Sequence, residues 1–151
     1  MKKWICILLA IAAAAISLTA CGKWQKLDRV DVGKVKHITI EVDPSAADKT
    51  DYDIIRRAGM TQLVDMYNSA RFCASDDKVT LQDLQGDGEI WFHFCFYSYD
   101  EELIGECTIY TGGYLILPDQ PETVYQLQDG FDEDMTKDVM RQYDIKAKSE
   151  I

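Results

Sequence analysis

Residues 89–99 (EIWFHFCFYSY) constrain the fold more than any other stretch of the chain. Ile90, Phe92, Phe94 and Phe96 fall on one side of an alternating pattern, and Trp91, His93, Cys95, Tyr97 and Tyr99 fall on the other. Alternation is the period of a strand. Bulk on both sides marks a strand covered on both faces, at the centre of a sheet.

Other segments supply its neighbours. Residues 36–42 (KHITIEV) alternate, with Ile38, Ile40 and Val42 on one face and His37, Thr39 and Glu41 on the other. Asp43-Pro44 ends that run, because proline cannot donate to a sheet ladder. Residues 78–84 (KVTLQDL) read as a short strand, and Gln85-Gly86-Asp87-Gly88 as a hairpin turn. Residues 100–102 turn the chain into a strand over 103–111, and Gly112-Gly113 turns it again into 114–117. Pro118 and Pro121 break the pattern before a last edge strand over 123–128. Residues 51–68 make the best helix, with Ile55, Gly59, Leu63, Met66 and Tyr67 on one face. Glycine costs about 1 kcal/mol in a helix interior, and close packing on a sheet accounts for Gly59. A second helix spans 132–143, where Met135, Val139 and Tyr143 recur and acidic residues crowd the start. The expected class is α+β: a helix packed on a curved antiparallel sheet, in the order β-α-β(4–5)-α.

The first twenty residues belong to something else. Lys2 and Lys3 precede an uncharged apolar run over 5–16, the layout of a secretory signal. The run is shorter than the ~20 apolar residues of a membrane span. Leu18-Thr19-Ala20-Cys21-Gly22 resembles the lipobox of bacterial lipoproteins. The resemblance implies cleavage between Ala20 and Cys21 and a thioether from Cys21 to diacylglycerol. Two acyl chains then anchor the protein stably, where one is marginal. Gly22 stands where the common inner-membrane retention signal of Gram-negative bacteria has Asp. The expected location is the extracytoplasmic side of a cell membrane. The expected boundaries are a signal peptide (1–20), a lipidated cysteine and tether (21–33), a single α+β domain (34–145) and a tail (146–151). Fully extended, the tether reaches ~35–40 Å.

Charge narrows the partners. The formal net charge is −10, and loss of Lys2 and Lys3 with the leader takes it to −12. So acidic a chain does not bind nucleic acid or anionic headgroups through its overall field. The charge reads as solubility beside a negative surface or, functionally, as affinity for a cation or a basic partner.

The mature chain holds Cys21, Cys73, Cys95 and Cys107. If Tyr99 pairs with Leu103 across the 100–102 turn, Cys95 stands opposite Cys107. Three readings stay open: a Cys95–Cys107 disulfide, unpaired buried thiols, or three metal ligands with His93. Cys73 is an alternative disulfide partner. A one-residue shift in register breaks the Cys95–Cys107 pairing. Residues 83–90 match part of a calcium loop, but its twelfth position is Phe94 rather than a bidentate acid, so a plain turn is expected. The chain has two histidines and no G-x-S-x-G, H-E-x-x-H, C-x-x-C or phosphate-loop motif. No enzymatic activity, cofactor or resident metal is expected. The aromatic set Trp91, Tyr97, Tyr99, Tyr110 and Tyr114 forms a candidate binding face, unless the second helix covers it.

Residues 34–130 resemble a family of small lipoprotein domains of unknown function from Gram-positive, clostridia-type bacteria. The features that carry the resemblance are the lipobox, K-x-x-x-I-x-I-x-V over 34–42, a helix around 54–66, the long strand, and I-Y-x-G-G-Y-L-I over 109–116. Of functional residues it carries over Cys21 alone, and it implies no activity. The first expectation is a non-catalytic membrane-anchored lipoprotein that binds an extracytoplasmic protein or small ligand through its sheet face. The alternatives are an accessory or inhibitor module of an extracytoplasmic enzyme, and a thiol- or metal-handling lipoprotein using Cys95, Cys107 and His93.

Overall fold

The structure, a computed structural model, describes residues 24–75 and 78–145. The expected signal peptide (1–20), the expected anchor at Cys21 and the expected tail (146–151) lie outside the described residues. Eight strands form one antiparallel sheet: β1 (Gln25–Lys26), β2 (Val35–Val42), β3 (Asp51–Ile54), β4 (Arg71–Ala74), β5 (Trp91–Ser98), β6 (Leu103–Tyr110), β7 (Tyr114–Leu117) and β8 (Gln120–Leu127). Their order in space is β1-β4-β8-β7-β6-β5-β2-β3. Among the described residues three α-helices accompany them: α1 (Arg57–Ser69), α2 (Leu81–Gly86) and α3 (Glu133–Tyr143). The class is α+β.

β5 lies inside the sheet, between β2 and β6. Its Phe92, Phe94 and Phe96 point to an inner face, where they are buried with Ile38 and Ile40 of β2. A fully buried phenylalanine stabilises by roughly 1.5–3 kcal/mol, so this triplet anchors the core. α1 covers the inner face with Met60, Leu63, Val64 and Tyr67, and α3 adds Val139 and Met140. Asp132 caps α3 by accepting the Met135 N–H at 2.9 Å. Both long helices therefore lie on the phenylalanine side. α3 does not cover the aromatic face, as the sequence reading allowed.

Three segments depart from expectation. Residues 51–54, read as the first turn of a helix, form edge strand β3, which pairs with β2 through Ile38 and Ile54. Ile54 is buried there, whereas Ile55, expected on the apolar helix face, is 47% exposed. No side chain caps α1 at Arg56, so its start is not set by a local cap; the sheet edge offered residues 51–54 backbone partners instead. Gly59 packs closely on the sheet edge and on α3 as well: a Cβ there would come within 3.0 Å of Ile54 in β3 and 2.8 Å of the Tyr143 ring.

The second departure is α2, in a stretch read as a strand and hairpin turn. Thr80 accepts the Asp83 N–H while Asp83 accepts the Thr80 N–H, a reciprocal capping box. Gly88, at φ +75°, follows the end of α2 instead of joining two strands. The order thus differs from β-α-β(4–5)-α. Three strands precede α1, and of the five that follow, β4 is separated from β5 by a helix.

The third departure concerns the tether. β1 pairs with β4 through Gln25–Phe72 and Lys26–Arg71. Val30 is buried, and Asn68 bonds both its N–H (2.9 Å) and its C=O (2.8 Å). The segment from Gln25 on is part of the folded body, which shortens the tether expected over 21–33. No helix among the described residues is long and apolar enough to cross a membrane.

Candidate functional site

The period of β5 sends Trp91, His93, Cys95 and Tyr97 to the outer face, opposite the phenylalanines. β2 contributes His37, Thr39 and Glu41 to the same face, paired with Asp53 and Asp51 of β3 at Thr39 and Glu41. What β6 contributes depends on its register. Tyr97 pairs with Leu103, but Phe96 pairs with Gly105, so Ile104 is an extra residue in a bulge. Beyond it, Cys95 stands opposite Glu106, His93 opposite Thr108 and Phe94 opposite Cys107.

The register therefore corrects the Cys95–Cys107 pairing. The turn closes one residue earlier than expected, with Ser98 N–H donating to the Glu102 carbonyl at 2.9 Å and Glu101 at φ +60°. That turn alone would set Cys95 opposite Gly105, and the bulge moves β6 back by one residue, which leaves Cys95 opposite Glu106. Cys107 faces the inner core beside Phe94, and Cys95 faces outward. Cys73, Cys95 and Cys107 are all free. The ligand set His93, Cys95, Cys107 is overturned for the same reason, since Cys107 lies on the other face.

The outer face gathers a different trio. The ligand atoms of His93, Cys95 and Glu106 all lie within 4.8 Å of one another. His93 Nε2 is 3.2 Å from Cys95 Sγ and 3.2 Å from a Glu106 carboxylate oxygen. Its other nitrogen, Nδ1, is 2.8 Å from Thr108 Oγ1. Burial and, next, the Glu106 carboxylate push the Cys95 thiol up; hydrogen bonding from Tyr97 and Thr39 opposes them. Beside the trio lies a shallow recess of about 350 Å³ lined by Glu41, Trp91, His93, Thr108 and Tyr110.

The aromatic residues are divided. Tyr110 is buried, and Trp91 and Tyr114 are partly buried, packed with Leu84 of α2 and with Ile116 and Val124. Tyr97 leans on His37, their rings 4.9 Å apart. Only Tyr99 stands well clear, 66% exposed at the β5–β6 turn. The five do not form one contiguous aromatic patch: Trp91, Tyr110 and Tyr114 pack in the cluster with Leu84, apart from Tyr97 and Tyr99. The rest of the face is polar: both histidines of the chain, Thr39, Thr108, and the carboxylates of Glu41, Asp51, Asp53 and Glu106, with Cys95 at the edge of burial among them.

Glu106 and Thr108 were not singled out by sequence. Nothing near them in the chain marks them, and only the bulge brings them beside His93. The capping pattern Thr80-x-x-Asp83, by contrast, was a legible signal for α2.

No protein-family model, curated protein or solved structure matches this chain.

Proposed function

We propose that the protein is a non-catalytic lipoprotein, anchored through Cys21 on the extracytoplasmic side of a cell membrane, that binds a small polar or cationic ligand on its outer sheet face. The lipobox resemblance at 18–22 supports the anchor. β1 begins at Gln25, so a lipid on Cys21 would hold the domain within ~15 Å of the headgroups.

The observation that carries the ligand reading is the chemistry of the uncovered surface. Protein-binding patches are enriched in aromatic residues and depleted of charge at their centre. Here Trp91, Tyr110 and Tyr114 pack in a cluster with Leu84 of α2, and beside the recess that Trp91 and Tyr110 help to line stand imidazoles, a thiol and carboxylates. Four carboxylates on one face favour a cation by simple Coulomb attraction. The Cys95–His93 contact has the components of a thiol nucleophile and its base. Activation, however, requires a lowered thiol pKa, and burial with Glu106 pushes this one up.

The test is amide chemical-shift mapping of the mature chain carrying Cys21→Ser, against small polar ligands and divalent cations. Saturable shifts confined to β2, β5 and β6 support the reading. Shifts only at other surfaces overturn it. Labelled fatty acid should enter the wild-type chain in bacterial cells and not the Cys21→Ser variant; equal labelling overturns the anchor.

A further inference from the structure

We infer that His93 Nε2, Cys95 Sγ and the Glu106 carboxylate form a three-ligand site for a zinc-type divalent transition metal, with the fourth position open to solvent. The inference rests on the reading of the outer face as a binding surface and names its ligand.

The donor set selects the class. Calcium and magnesium take oxygen ligands, and a thiol and an imidazole are poor donors for them. Mixed nitrogen, sulfur and oxygen donors suit zinc and its neighbours. The geometry is close to what a tetrahedral ion needs. Zn–S bonds near 2.3 Å and Zn–N or Zn–O bonds near 2.0–2.1 Å imply tetrahedron edges of about 3.5 Å for N–S and about 3.3 Å for N–O. The corresponding separations are both 3.2 Å, a few tenths of an ångström short of these edges, and the Cys95 sulfur and Glu106 oxygen lie within 4.8 Å of each other.

The scaffold holds them there. His93 and Cys95 are alternate residues of one strand, and Glu106 is the direct cross-strand partner of Cys95. Ladder hydrogen bonds fix all three, which is firmer than a loop-borne site. Thr108 completes the arrangement. When His93 donates its Nδ1–H to Thr108 Oγ1, the Nε2 lone pair faces Cys95 and Glu106. Metal-bound histidines are oriented by such a partner on the other nitrogen. The face also draws cations, since Glu41, Asp51 and Asp53 lie on the neighbouring strands.

A dication would take the Cys95 sulfur and the Glu106 carboxylate as ligands together. On binding, the Cys95 S–H bond is replaced by a sulfur–metal bond, and the proton leaves to solvent.

The test titrates the reduced mature chain carrying Cys21→Ser with Zn²⁺ by calorimetry and with Co²⁺ by absorption. One ion per chain and a thiolate-to-cobalt charge-transfer band are expected. Cys95→Ser should abolish the band and weaken binding at least about 100-fold, and Thr108→Val should weaken it about 10-fold. Cys73→Ser should change neither. Glu106→Gln provides a second ligand variant should Cys95→Ser fail to fold, with the same direction expected. Absence of the charge-transfer band, or unchanged affinity in the ligand variants, overturns the site. Amide mapping separates the two readings. Shifts on the outer face with another small ligand but none with zinc overturn the metal alone; shifts only elsewhere, for every ligand, overturn both.

Discussion

Cys95 and Glu106 are direct partners across β5 and β6, and between that pair and the turn lies one extra residue, Ile104. Side chains alternate along a strand, so one added residue exchanges the faces of everything beyond it. The bulge sends Glu106 and Thr108 outward and seats Cys107 and Ile109 in the core. Without that exchange Cys107 would share a face with Cys95.

The thiols should therefore react in a fixed order. Cys107 is 1% exposed, Cys95 is at the edge of burial and Cys73 is partly exposed. In the Cys21→Ser mature chain under native conditions, alkylation should be fastest at Cys73 and slower at Cys95. At Cys107 it should wait for global unfolding. Mass spectrometry after denaturation without reductant should find all three alkylated. A single alkylated thiol would overturn the register.

Gly59 lets α1 approach α3. Alanine there gains helix propensity of about 1 kcal/mol, but its methyl would meet the Tyr143 ring and Ile54 at distances the core cannot absorb without movement. Overpacking of this kind costs about 1–3 kcal/mol. Gly59→Ala should lower the urea midpoint by the equivalent of about 1 kcal/mol net. An unchanged or raised midpoint would show that the two helices separate freely.

Asp144 ties the end of α3 to the sheet edge. Its buried carboxylate accepts the Asp53 N–H at 3.0 Å and pairs with Lys49. Asp144→Ala removes both partners' acceptor and should destabilise by about 2–4 kcal/mol. Asp144→Asn keeps an acceptor for Asp53 and should cost less. Equal unfolding midpoints for the two variants would show that the charge, not the Asp53 bond, is what matters.

α2 depends on its cap. Thr80→Ala should cost about 1 kcal/mol and uncover Trp91, detected as a red shift of tryptophan emission. Hydrogen bonds from Thr80 lower the Asp83 pKa below its ordinary value of 3.8. A depressed carboxylate contributes stability above its unfolded pKa and loses it as pH falls through the folded one. The cap should thus weaken only below pH 3.8, and Asp83→Asn should flatten that acid limb.

Tyr67 contributes to the alkaline limb. Burial, then Cys107, pushes its phenol up to about 12 from an ordinary 10. The folded state keeps the proton that the unfolded state releases, so this contribution is full below pH 10 and is lost between pH 10 and about 12. The loss is on the order of 2 kcal/mol. Tyr67→Phe should reduce the slope of unfolding free energy across that window. An unaltered slope would place the alkaline transition elsewhere.

By itself, the order of residues determined the strands whose own side chains repeat. β2 and β5 lie where alternation places them, since a half-buried strand writes its two faces into alternate positions. The acidic cap of α3 at Asp132 was equally local. Tertiary structure decided what depends on partners. Residues 51–54 have a helical pattern, but an open edge beside β2 made them a strand. Residues 25–30 look like a linker, but β4 and Asn68 offered backbone partners. The candidate site was half legible: His93 and Cys95 share a face by period alone, while Glu106 and Thr108 join them only through a turn and a bulge. Registers are set by the pairing of two strands, and no single strand carries that information.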